Sequence, residues 1–92
     1  MALNVLLVDD EYLVLKGLEI ILSEQTETSV KIVTAMDVED ALNKLTSFRP
    51  DVIITDINMP ESNGFELIKQ AQQNFPHCRF ITVSYTHLRA HE

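Results

Sequence analysis

Short apolar runs alternate along this chain with longer stretches in which apolar residues recur every three or four positions. Val5-Leu6-Leu7-Val8 is a continuous apolar run that ends at Asp9-Asp10-Glu11. A strand with one wet face alternates apolar and polar residues, so an unbroken run predicts a strand buried on both faces, as in a parallel sheet. From about Tyr12 to Gln25, the residues Val14, Leu15, Leu18, Ile21 and Leu22 recur at helical spacing and predict one apolar stripe on a helix. Val30 to Ala35 predicts a second strand. Asp37 can cap the helix after it, because its carboxylate can accept free amide hydrogens of the first turn. Val38, Ala41, Leu42 and Leu45 form that helix's buried stripe, and Pro50 closes the segment, since the residue before a proline avoids helical geometry. Val52-Ile53-Ile54-Thr55 predicts a third strand that runs directly into Asp56. A turn-rich loop, Asn58 to Gly64, leads to a third helix over about Phe65 to Asn74, with Phe65, Ile68 and Ala71 on one face. Pro76 stops it, and Arg79 to Val83 predicts a fourth strand.

Four strands therefore alternate with three helices, which predicts an α/β fold: a parallel sheet with helices on both faces and right-handed crossovers. The 92 residues allow one small domain. An apolar fraction of 46% is too high for a disordered chain. No apolar run approaches the ~20 residues needed to span a bilayer. The start, MALNVLLVDDE, has no basic region and is interrupted by acids after Val8, unlike a signal peptide. The single cysteine, Cys78, cannot form an internal disulfide, fits a reducing cytoplasm and is expected to be a partly buried apolar residue. A net charge of −7 argues against direct nucleic-acid binding, which needs a basic footprint.

Excess acid matters here because of where it falls. In an open parallel sheet, function collects outside the carboxyl ends of the strands. The first strand ends at Asp9-Asp10 and the third at Asp56, so three carboxylates should converge on one rim if these strands are neighbours, with Glu11 nearby. Clustered carboxylates resist ionising together, and a hard divalent cation such as Mg²⁺ removes that penalty. Such a cation also neutralises charge during phosphoryl transfer. An aspartate can act as nucleophile and form an acyl phosphate. Asp56, alone at a strand end, is the better nucleophile, and Asp9 with Asp10 the better metal-holding pair. Ser84, after the fourth strand, could hydrogen-bond a phosphate oxygen on Asp56. Any one of these acids alone would read as a solvated loop residue. The combination does not.

The segments Val5-Leu-Leu-Val-Asp-Asp-Glu11 and Asp51-Val-Ile-Ile-Thr-Asp-Ile-Asn-Met-Pro60, followed by Gly64, resemble the receiver domain of two-component response regulators. The resemblance covers residues 4 to 84. It implies a flavodoxin-like (CheY-like) three-layer fold with strand order 2-1-3-4-5. It implies that Asp9 and Asp10 bind Mg²⁺ and that Asn58 offers its backbone carbonyl to the metal. It further implies that Asp56 is the phosphoacceptor fed by a sensor histidine kinase, that Met59-Pro60 and Gly64 shape the loop, and that Ser84 is the switch hydroxyl. The motifs also resemble receivers fused to AraC-type DNA-binding regions, which implies a C-terminal effector controlling transcription and a cytoplasmic location.

The chain departs from that family in its last part. Receivers have five strands and five helices, and this sequence stops after the fourth strand. The lysine that the family places at the end of strand five has no counterpart: Lys16, Lys31, Lys44 and Lys69 lie in or beside other elements. Residues 1–84 are therefore read as a partial receiver domain. Residues 85–92, where Tyr85 replaces the family's small residue, are read as a non-native tail. His87 and His91 stand at metal-ligand spacing in that tail, with no further ligand evident. Three functions stay open. The first is a phosphoacceptor switch, not an enzyme acting on an external small molecule. The second is a phosphorylation-independent interaction domain or inactive fragment. The third is an aspartyl phosphotransferase or phosphatase. The third is disfavoured because its usual second acid, two residues after the nucleophile, is here Asn58. No GxxxxGK[ST] phosphate loop is present.

Overall fold

The computed structural model describes residues 2–24, 29–56 and 64–83. Seven elements follow in the order β1 (Ala2–Val8), α1 (Tyr12–Ser23), β2 (Ser29–Ala35), α2 (Val38–Lys44), β3 (Val52–Asp56), α3 (Gly64–Asn74) and β4 (Arg79–Val83). The four strands form one sheet in the order β2-β1-β3-β4, and every pairing is parallel. This is the flavodoxin-like (CheY-like) order as far as four strands carry it.

The unbroken apolar run of β1 is explained by burial on both sides. Leu6 and Val8 face a core formed with Ala41 of α2, Ile53 of β3, and Leu67 and Ala71 of α3. Val5 and Leu7 face a second core built on Leu15 of α1, with Leu18 and Leu22 packed against it. The layers are thus α1, the sheet, and the α2–α3 pair. Fully burying a Leu or Ile side chain contributes roughly 1.5–3 kcal/mol, so the pair of cores is what holds the sheet between the helices.

Asp37 caps α2 as its position predicts: its Oδ1 accepts the Asp40 N–H at 2.7 Å. At the other end of that helix, Lys44 donates to the Thr34 carbonyl at 2.7 Å and pairs with Asp40 at 3.3 Å, tying α2 to β2.

Two helical stripes differ from the sequence-based expectation. On α3 the buried residues are Leu67 and Ala71, and Phe65 is 62% exposed. Phe65 stands two positions before Leu67, about 200° around the helix at 3.6 residues per turn, so the two cannot share a face. On α1 the stripe is narrower than expected. Leu15, Leu18 and Leu22 pack on the sheet, while Ile21 is 59% exposed. That helix also ends at Ser23, with Glu24 donating its N–H to the Ile21 carbonyl; Gln25 lies outside the described residues.

Candidate functional site

The pairing of β1 with β3 sets Val8 level with Thr55, so the next residues, Asp9 and Asp56, emerge side by side from neighbouring strands. The structure brings together Asp9, Asp10 and Asp56. Each offers one carboxylate oxygen, and these oxygens lie within 4.8 Å of one another. Among the described residues this is the one group of three or more acids, histidines or cysteines with such geometry. Asp56 is fully buried and Asp9 nearly so, while Asp10 is half-buried.

Local hydrogen bonds orient Asp9. Asp9 Oδ1 accepts the Glu11 N–H at 2.8 Å, and the Asp9 N–H donates to the Ala35 carbonyl of β2 at 3.1 Å. The short Asp side chain thereby closes the turn that leads from β1 into α1. Glu11 contributes its backbone amide to this turn, and its side chain is exposed and outside the three-acid group. Before Asp56, the buried Thr55 hydroxyl donates to the Asp56 carbonyl at 3.3 Å.

Two unit charges about 4 Å apart repel by about 1 kcal/mol in bulk water and about 4 kcal/mol at the effective dielectric near a protein surface. A cation held among the three would offset that repulsion. The donor set suits a hard one, with carboxylate oxygens only and neither sulfur nor imidazole.

Asn58, Met59, Pro60, Ser84, His87 and His91 lie outside the described residues, as does the whole of 85–92. The four lysines sit in α1 (Lys16), β2 (Lys31), α2 (Lys44) and α3 (Lys69). Cys78 precedes β4, at the opposite end of the sheet from the acids, and packs against the α2–α3 core as a partly buried residue. Burial, and then the nearby Asp51 charge, push its thiol above the ordinary value of 9.0. A thiol so shifted is a poor nucleophile.

One pair of residues was missed by the sequence reading. Asn4 and Asp51 join β1 to β3 at their amino ends through side-chain and backbone hydrogen bonds. The signal was present: Asn4 precedes Asp9 by the same interval as Asp51 precedes Asp56.

The structure is thus a parallel α/β sheet in this order with three carboxylates gathered at its carboxyl rim, and comparison with known proteins identifies the family. The profile of the response regulator receiver domain matches residues 5–91, and the chain belongs to that family. It is 32% identical over 82 residues to the transcriptional regulatory protein DegU of Brevibacillus brevis, covering 89% of this chain and 34% of DegU. It is 36% identical over 96 residues to a protein-glutamate methylesterase/protein-glutamine glutaminase of Bdellovibrio bacteriovorus, covering 98% of this chain and 27% of that protein. The chain thus spans about a third or less of these curated relatives. Among solved structures it resembles the response regulator TrrA of Thermotoga maritima in complex with Mg²⁺-BeF. The TM-score is 0.79 at 31% identity, over 96% of this chain and 75% of TrrA. No described helix is long and apolar enough to cross a membrane.

Proposed function

We propose that this chain is the phosphoacceptor module of a two-component signalling pathway, with Asp56 receiving a phosphoryl group from a phosphohistidine on a sensor kinase. The observation that carries this reading is the burial of Asp56 at the end of β3 within reach of two further carboxylates. A carboxylate oxygen of Asp56 attacks phosphorus, the phosphorus–nitrogen bond breaks, and its electron pair returns to the histidine ring. An acyl phosphate results.

Asp9, Asp10, Asp56 and the backbone carbonyl of Asn58 would hold Mg²⁺. When bound, it would neutralise the negative charge that gathers on the transferring group. The chain's own residues do the rest. The rigid end of β3 presents Asp56 at a fixed place, and the Glu11 amide holds the Asp9 carboxylate in one orientation. Ser84 would donate its hydroxyl to a phosphoryl oxygen and so couple phosphorylation to a change of shape. A C-terminal effector would read that change, most simply a DNA-binding one as in the transcriptional relatives. The module itself binds no nucleic acid, is a switch and not an enzyme dedicated to an external small molecule, and works in the cytoplasm. Residues 85–92 take no part in this scheme.

The test is labelling with acetyl phosphate and Mg²⁺, read by intact mass and peptide mapping. The expected product is one acyl phosphate on Asp56, absent from Asp56→Ala. Full labelling of Asp56→Ala would overturn the assignment. No labelling of the wild type would favour a phosphorylation-independent interaction domain.

A further inference from the structure

The acidic rim exists only when β1 and β3 stand in one register, and the apolar residues of these strands specify that register weakly. Val5, Leu6, Leu7 and Val8 are all buried, two on each face of the sheet. No alternation of apolar with polar residues marks their places. A shift of two residues returns every side chain to its own face, yet it moves Asp9 past Asp56 by about 6.6 Å. That exceeds the 4.8 Å within which the carboxylate oxygens lie. Repulsion among the acids favours such a shift.

A polar lock stands at the other end of the same two strands. The Asn4 N–H donates to Asp51 Oδ2 at 2.8 Å, and the Asp51 N–H donates to the Asn4 carbonyl at 2.7 Å. Asn4 Nδ2 donates to the Arg49 carbonyl at 3.1 Å. The Asp51 carbonyl accepts the Arg79 N–H at 2.9 Å, so the same residue also ties in β4. Five positions separate Asn4 from Asp9, and five separate Asp51 from Asp56. The ladder between them pairs Val5 with Val52 through to Val8 with Thr55. Lock and rim are therefore level at the two ends of one ladder. A two-residue shift carries the Asn4 side chain away from the Arg49 carbonyl and breaks the set.

We propose that Asn4 and Asp51 form a register clasp that positions Asp9 against Asp56. Both are positioning residues, and neither touches the reacting atoms. The magnesium part of the test rests on the metal site proposed above, and the exchange part does not.

The test uses the full chain as wild type, Asp51→Ala, Asp51→Asn and Asn4→Ala. Leu45→Ala, in the segment that packs on the α2–α3 core, serves as a destabilised control. Amide hydrogen exchange without metal compares the β3 amides with those of β2, and titration calorimetry gives the Mg²⁺ affinity. Asp51→Ala should speed exchange in β3 relative to β2, and weaken Mg²⁺ binding, by about three- to tenfold, the range of one hydrogen bond. Asp51→Asn keeps an acceptor and should stay near wild type. Asn4→Ala should move the same way as Asp51→Ala by a smaller factor, and it carries the test if Asp51→Ala does not fold. Leu45→Ala should lower the melting temperature with unchanged Mg²⁺ affinity and an unchanged exchange ratio. Wild-type affinity and exchange ratio in the clasp variants, or an equal loss in Leu45→Ala, would overturn the proposal. If the wild type binds no Mg²⁺, the metal reading fails alone, and the exchange ratio decides the clasp.

Discussion

At the carboxyl ends of the strands, Asp56 is buried beside two further carboxylates. At the amino ends, Asp51 is exposed and accepts a backbone N–H from the neighbouring strand. Both follow the same interval along the same pair of strands, so residue type alone does not separate them. Surroundings do. One end gathers like charges in a place that water reaches poorly, which costs stability. The other end matches its acid to a donor, which contributes stability. Strain of this kind is expected where a protein stores function, and the compensation is expected elsewhere in the fold.

The largest effect expected from this contrast is that of Mg²⁺ itself. A ligand that binds only the folded state at a hundred times its Kd adds about 2.7 kcal/mol. Thermal unfolding at fixed ionic strength should show that gain in the wild type and in Asp51→Asn. Asp10→Asn should gain clearly less. Equal gains in the wild type and Asp10→Asn would remove the rim's special status.

Next come effects of opposite sign in EDTA. Neutralising the rim with Asp10→Asn should raise the unfolding free energy by roughly 0.5–1 kcal/mol, because one like charge is gone. Asp51→Ala should lower it by about 1 kcal/mol, because the Asn4 amide loses its acceptor. Urea denaturation reads both, and movement in the same direction would mean that the two ends do not differ in the way described.

The smallest effect concerns Cys78, beside Asp51. Its thiol is raised in the folded state, by burial first and by the Asp51 charge second. The unfolded chain therefore gives up the proton more readily. Stability from this group is present below the ordinary value of 9.0 and is lost as pH rises above it. Asp51→Asn removes the second cause, so the alkaline loss should shrink and alkylation of Cys78 by iodoacetamide should begin at lower pH. A pH profile of alkylation unchanged in Asp51→Asn would show that burial alone sets the thiol.

Much of this was legible from residue order, because the signals are local. The apolar run Val5–Val8 requires both faces to be buried, and both are. Asp37 stands where a cap is needed, and it caps. The acids after the first and third runs fall at strand ends, and the structure gathers them. The apolar faces of the helices were less legible. Phe65, Leu67, Ile68 and Ala71 allow more than one stripe, and only contact with α2 and the sheet selects Leu67 with Ala71. Ile21 likewise continues the helical spacing, yet α1 lies so that Leu15, Leu18 and Leu22 meet the strands.

The sequence by itself determined the alternation of strand and helix, the caps and breaks, and the kinds of group available at each strand end. These depend on backbone preference and on burial within one turn or one strand. The tertiary structure decided which strands are neighbours, which face of each helix is dry, and how β1 and β3 are aligned. Those outcomes depend on contacts between residues far apart in the chain, such as Asn4 with Asp51 and Asp9 with Asp56. Apolar residues buried on both faces distinguish one alignment from another only weakly, so the strand ends could name the acids of the site, while the alignment that sets Asp9 beside Asp56 became visible only in three dimensions.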